Sequence, residues 1–207
     1  MEDVLDLYAA PADRQRPLVC FDELPYQLIS EKRTPLAVTP GQVERYDYEY
    51  RREGTCNVFM TFAPHLGWRH AAVTERRTAI DFAGQMQWLV DEAFPQAERI
   101  QVVLDNLSTH TPAALYEAFP PEEARRIVEK LELHYTPKHG SWLNMVEIEL
   151  GVMRGQCLDR RLGRLEQVCQ EIAAWEQQRN AAQARVEWRF KSTDARMKLS
   201  HLYPSQS

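Results

Sequence analysis

Asp22, Asp105 and Glu147 stand where an acid is costly unless something compensates its charge. Asp22 ends the apolar run Pro17-Leu-Val-Cys-Phe21. Asp105 ends Ile100-Gln-Val-Val-Leu104 and is followed by Asn106, Ser108, Thr109 and His110. Glu147 closes Ser141-Trp-Leu-Asn-Met-Val-Glu147, at what reads as the start of a helix. A carboxylate at the tip of a core strand is partly desolvated, so it must be paired, protonated or bound to a cation. No lysine or arginine adjoins any of the three in sequence. Divalent metal is the one reading that accounts for all three acids together. Two hard cations about 3.5–4 Å apart, flanked by oxygen ligands, would activate an attacking oxygen and stabilise a leaving one.

Each residue also has a plainer reading. Asp22 alone is equally a turn acid at a strand end, and Glu23 beside it points to the other face as a structural residue. Asp105 with Asn106 could start a turn. Glu149 resembles Glu147 in chemistry but faces another side of the helix. His110 positions a water or phosphate, or caps the following helix. Lys138 and His139 contact phosphate, or belong to a solvated loop. Trp142 anchors its loop by packing, or stacks on a flipped base. Arg154, Arg160, Arg161 and Arg164 form a basic stripe for DNA, or an ordinary solvated face.

The elements that must position the acids follow from periodicity. Residues 17–23 read as a buried strand after an irregular lead-in over 1–16. Two strands are expected at 45–50 and 56–62, joined by a turn at 51–55, and a third antiparallel strand at 68–74. Ile80, Phe82, Ala83, Met86, Leu89, Val90 and Phe94 mark an amphipathic helix over 78–94. Strand 100–104, a helical segment 112–130 interrupted at Pro120-Pro121, and strand 131–135 complete a β–α–β succession. Helices are expected at 166–179 and 194–202. This order fits an α/β fold, a ribonuclease-H-like mixed sheet flanked by helices, with a helical carboxyl-terminal extension. The division is a lead-in at 1–16, a catalytic core at 17–162 and the extension at 163–207. In such a fold Asp22 and Asp105 meet at neighbouring strand tips, and a helix brings Glu147 over them.

With 207 residues, 44% of them hydrophobic and 27% charged, the chain can bury a good core. It has no apolar run long enough to span a membrane and no signal peptide, so no membrane partner is expected. Cys20, Cys56, Cys157 and Cys169 form no Cys-x-x-Cys pair, which argues against zinc. Cys20 reads as a buried thiol in a reducing cytoplasm. The net charge of −5 does not itself point to nucleic acid. Its distribution is uneven: residues 1–150 carry 15 Lys and Arg against 24 Asp and Glu, and residues 151–207 carry 10 against 6.

Val19-Cys-Phe-Asp-Glu23, Leu104-Asp-Asn-Leu-Ser-Thr-His110 and Tyr135-Thr-Pro-Lys-His-Gly-Ser-Trp-Leu-Asn-Met-Val-Glu147, taken in order, resemble the DDE transposases. More narrowly they are similar to the bacterial insertion-sequence branch of the mariner-like superfamily. Trp188-Arg-Phe190, Thr193-Asp-Ala-Arg-Met-Lys-Leu199 and Leu202-Tyr-Pro204 are similar to that branch's carboxyl terminus.

The resemblance implies that Asp22, Asp105 and Glu147 are the catalytic acids and hold two Mg²⁺ or Mn²⁺ ions. It implies metal-dependent DNA cleavage at transposon ends, then strand transfer into target DNA; His110, Lys138, His139, Trp142 and Arg154, by their own chemistry and position, are the candidate DNA contacts. The implied partners are inverted-repeat ends, target DNA and a second copy of the chain in a synaptic homodimer. The implied setting is a bacterial cytoplasm, with the chain on the nucleoid when DNA-bound.

Two departures stand out. The interval from Asp105 to Glu147 is longer than is usual in the superfamily, which Ala118-Phe-Pro-Pro-Glu-Glu-Ala124 would explain as a surface insertion. Too few residues precede the first strand for a helix-turn-helix module, which fits either a catalytic half whose upstream reading frame supplies that module or a truncated copy. The alternatives are a catalytically silent transposon remnant that binds DNA or a partner, and another ribonuclease-H-like nuclease.

Overall fold

The computed structural model describes residues 1–33, 41, 48–200 and 203. Among these residues five strands form one mixed sheet: β1 (Leu18–Glu31), β2 (Tyr50–Ala63), β3 (Trp68–Thr74), β4 (Ile100–Leu104) and β5 (Leu131–Tyr135), in the order β3-β2-β1-β4-β5. β2 is antiparallel to β1 and β3, whereas β4 is parallel to β1 and β5. The helices are α1 (Glu2–Ala9), α2 (Ala79–Trp88), α3 (Pro112–Ala118), α4 (Pro121–Lys130), α5 (Val146–Met153), α6 (Leu165–Ala181) and α7 (Ser192–Lys198).

Alternation along the central strands divides the core into two layers. Cys20, Met60, Phe62 and Val103 face Val146, Leu150 and Met153 of α5 and Val168, Ile172 and Trp175 of α6. Val19, Phe21, Phe59, Val102 and Leu104 face Phe82 and Met86 of α2, Leu115 of α3 and Ile127 of α4. Local chemistry sets the helix boundaries. Thr78 and Asp81 form a reciprocal capping box at the start of α2. Pro112 and Pro121 open α3 and α4 at positions where a missing N–H costs nothing. The expected interruption at Pro120-Pro121 therefore falls between two helices. α2 runs on through a π-helical turn at Leu89–Ala93.

Several elements differ from expectation. The lead-in is not irregular: residues Glu2–Ala9 form α1, which buries Val4, Leu5 and Tyr8. The expected turn at 51–55 is strand, because β1 and β2 continue as a two-stranded ribbon well past the end of β4. Gly54, at φ +122°, sits where the ribbon register shifts, a backbone conformation costly for any other residue. The ribbon is held by the segment before α6: Ile29 N donates to Leu162 O at 2.9 Å, and Arg161 pairs with Glu31 at 2.6 Å. Most of the strand expected at 45–50 lies outside the described residues, as do Leu202 and Pro204 of the tail.

α6 closes the open edge of β3 with side chains. Asn180 accepts from Arg69 N at 2.9 Å and donates back to Arg69 O at 2.8 Å, and Glu176 accepts from Ala71 N at 2.8 Å. These are the bonds that a further strand would otherwise make. Gly67 makes the approach possible, since a Cβ there would meet Gln183 O at 2.7 Å.

Candidate active site

Parallel pairing of β1 with β4 sets Leu18 against Gln101 and Cys20 against Val103. That pairing ends there, and Asp22, still within β1, and Asp105, just past the end of β4, each lie two residues beyond the last pair. The two acids are near enough that Asp105 repels the Asp22 carboxyl. Asp22 follows the alternation of Cys20, and so leaves the sheet on the face that α5 covers; Asp105, past the end of β4, turns its carboxyl to His110. Glu147, in the first turn of α5, lines a cleft of about 250 Å³ with Asp22, Glu23, Leu24, Leu150, Gly151 and Arg154.

The surroundings of the three acids differ. Asp22 accepts one hydrogen bond, from Glu23 N at 2.8 Å, and has no cationic partner among the described residues. Burial, with repulsion from Asp105, Glu23 and Glu147, pushes its carboxyl up to about 7 against the pull of the Glu23 N–H. Asp105 Oδ1 lies 2.7 Å from His110 Nδ1 and accepts from Leu107 N at 3.1 Å. The imidazole holds Asp105 below the usual carboxylate range, although burial opposes it. Among the described residues, no hydrogen bond or ion pair reaches the Glu147 carboxylate.

Glu23 carries a role that its sequence position did not disclose. On the opposite face from Asp22, its Oε2 lies 3.0 Å from His110 Nε2, and Arg77 stands 3.4 Å from its Oε1. His110 is thus held between two carboxylates, packed edge-on against Phe21 and tilted against Phe82. Burial alone would lower its pKa, but Asp105 and Glu23 raise it to about 9. The signal was a glutamate inside an apolar strand with a histidine five residues past the second acid.

The loop before Glu147 is tied down from two sides. Tyr8 of α1 donates to Leu143 O at 2.7 Å, and Met145 N donates to the same hydroxyl at 3.3 Å. Asn144, fully buried, donates to Phe21 O at 2.9 Å, next to Asp22.

The candidate DNA contacts separate into three groups. His110 is 1% exposed and cannot face DNA; its hydrogen bond to Asp105 and its ion pair with Glu23 are what its position serves. Lys138 and His139 are exposed in the loop leading to Glu147, with His139 at φ +63°. Trp142 is 46% exposed yet also packs edge-on against Phe190. Arg154 is exposed at the mouth of the cleft. The expected basic stripe is partly neutralised, because Arg160 pairs with Glu171 and Arg161 with Glu31.

The donor set suits a hard cation. It consists of carboxylate oxygens, two of the three acids have no cationic partner among the described residues, and their mutual repulsion is what bound positive charge would relieve. Among the described residues, no three His, Cys, Asp or Glu side chains already converge as a finished coordination shell. The acids share one neighbourhood, with Asp105 turned toward His110. No helix among the described residues is long and apolar enough to cross a membrane.

A sequence profile described as DDE superfamily endonuclease matches residues 17–169. No curated protein matches the chain. Among solved structures, the chain is similar to the Mos1 mariner paired end complex with Mn, with a TM-score of 0.56 and 17% identity over 90% of this chain and 61% of that one. It is also similar to the Mos1 strand transfer complex, with a TM-score of 0.56 and 18% identity over 85% and 51%. At that identity the likeness is one of fold, and the fold is the ribonuclease-H-like one. The chain spans about half to three-fifths of the length of these structures' chains.

Proposed function

Because the chain belongs to the DDE superfamily endonucleases, we propose that it is a transposase catalytic domain that cuts DNA at transposon ends and joins them to target DNA. The observation that carries the reading is the arrangement of the acids. Asp22, within β1, lies near enough to Asp105, just past the end of β4, to be repelled by it, and Glu147 shares the cleft with Asp22. The Mos1 structures of similar fold are paired-end and strand-transfer complexes, one of them with Mn, which supports the same reading.

Asp22, Asp105 and Glu147 would hold two divalent ions, Mg²⁺ or Mn²⁺. When bound, these supply activation of water or a 3′-hydroxyl and charge neutralisation at the leaving oxygen. The chain's own residues prepare that chemistry. His110 fixes the Asp105 carboxylate through Oδ1 and leaves Oδ2 for a ligand. Positive charge beside Asp22 would bring its pKa down and keep it ionised at neutral pH. Arg154 at the cleft mouth, with Lys138 and His139 on the loop, would meet phosphate, and the exposed face of Trp142 would meet a base. Two copies of the chain would bring two ends together.

The test is Mg²⁺- or Mn²⁺-dependent nicking of DNA carrying the flanking ends of the protein's own locus. Asp105→Asn should abolish nicking while near-UV circular dichroism stays unchanged. Cleavage by this variant at the wild-type rate would overturn the assignment. Cuts at the ends would mark a transposase, and scattered cuts a general nuclease.

A further inference from the structure

Glu149 is a fully buried carboxylate that takes no part in the cleft. It lies two residues after Glu147 on α5, so the two side chains leave the helix about 200° apart. Its Oε1 accepts from Arg179 Nη2 at 2.7 Å, and its Oε2 lies 3.2 Å from Arg69 Nε. Arg69, on β3, is itself completely buried. Its other nitrogens donate to Asn180 Oδ1 at 3.2 Å and to Ala184 O, and its guanidinium lies over the Phe62 ring at 5.3 Å. A single acid therefore ties the helix that carries Glu147 to both β3 and α6.

Stability does not account for this cluster. Buried ion pairs commonly hold a fold no better than apolar residues of the same volume. Here the pairing is also imperfect, because Arg69 Nε and Glu149 Oε2 are at ion-pair distance without hydrogen-bond alignment. Val146, Leu150 and Met153 already seat α5 on the sheet through apolar contact. Apolar contact resists separation but only weakly resists rotation of a short helix. A carboxylate gripped by guanidinium groups from two different elements does resist it.

We propose that Glu149, clamped by Arg69 and Arg179, is a positioning residue that sets the rotation of α5 and so aims the Glu147 carboxylate into the cleft beside Asp22. The proposal rests on the reading of Glu147 as an acid that holds a divalent ion.

The experiment uses the full chain and two readouts: the Mn²⁺ dissociation constant, from the electron paramagnetic resonance signal of free Mn²⁺, and Mn²⁺-dependent nicking of supercoiled plasmid. Arg179→Met removes one arm at a partly exposed position. The triple variant Arg69→Met, Glu149→Met, Arg179→Met replaces the cluster with apolar volume. Thermal unfolding is followed for each variant. Arg179→Met should weaken Mn²⁺ binding about tenfold and slow nicking at saturating Mn²⁺, with Arg179→Lys recovering part of both. The triple variant should unfold at or above the wild-type temperature yet bind Mn²⁺ as weakly as Arg179→Met.

Wild-type affinity and rate in a stable triple variant would make the cluster mere packing and overturn the proposal. A folded Arg179→Met that binds and nicks as wild type does would overturn it equally, and decides the matter if the triple variant does not fold. Failure of the underlying reading looks different: Glu147→Gln would then leave Mn²⁺ affinity unchanged, and the proposal falls with it.

Discussion

The side-chain amide of Asn144 donates to the backbone carbonyl of Phe21 at 2.9 Å, joining the loop that leads to Glu147 to the strand residue just before Asp22. β4 pairs with β1 only through Cys20, so the Phe21 carbonyl relies on this side chain. Asn144 Oδ1 also receives Val146 N at 3.4 Å, at the start of α5.

Asn144→Ala should therefore leave a buried carbonyl unsatisfied and destabilise the fold by about 1–3 kcal/mol. Its nicking rate should fall further than the loss of folded protein explains. Chemical denaturation beside a rate measured at a temperature where the variant is fully folded checks both. An undiminished rate would show that the acids hold their places without this bond.

Tyr8→Phe removes a hydroxyl that donates to Leu143 O and accepts from Met145 N, and it does so from α1, far from Glu147 in sequence. A cost of about 1–3 kcal/mol is expected, since two buried backbone groups lose a partner. Hydrogen exchange should show faster opening at 143–145 while the amides of β4 stay protected. Uniform loosening of the whole sheet would mean that α1 acts as general packing only.

Asp22→Asn should stabilise the metal-free protein at high pH. The folded Asp22 titrates at about 7 instead of 3.8, so the folded state holds its proton more tightly than the unfolded chain does. Below about pH 4 both states are protonated and the substitution should have no effect through this route. The cost of ionising Asp22 grows as pH rises toward 7 and is complete above it. At pH 8 the variant should gain up to about 4 kcal/mol, measured by urea denaturation in the presence of a chelator. A destabilised variant at pH 8 would show that burial does not strain the ionised carboxylate.

His110→Gln should lose stability in a pH-dependent way that follows the imidazolium. With its pKa raised from 6.5 to about 9, protonated His110 contributes stability that is fully present below pH 6.5 and fades as pH rises through 9. The gap between wild type and variant should therefore be widest near pH 6 and narrowest near pH 10, in chelator. A gap that does not change with pH would mean that His110 is neutral between its two carboxylates.

How far these features could be read from sequence depended on whether local pattern or distant partners decide them. The strand at 100–104 was legible as a short apolar run, and those at 68–74 and 131–135 from the turn residues beside them; Asp22 and Asp105 stood out because each closes an apolar run, although β1 runs on past Asp22 to Glu31. α1 was not, since its buried Val4, Leu5 and Tyr8 lie among acids in a segment of eight residues. The extension of β2 through Arg51 and Arg52 escaped notice because those residues are exposed and carry no alternation. His110 read as a DNA contact because its chemistry suits phosphate, and only its burial between Glu23 and Asp105 says otherwise. Glu149 and Arg69 are 80 positions apart, and no spacing rule links a helix glutamate to a strand arginine.

Asn180 and Glu176 spend their side chains on the outer rim of β3. A bare strand rim is a template on which another polypeptide can lay itself down, and runaway copying of that kind ends in fibrils. Here the rim is stoppered from within the same molecule. Whatever this protein gathers around itself, it cannot do so by lengthening its sheet past β3 unless α6 first lets go.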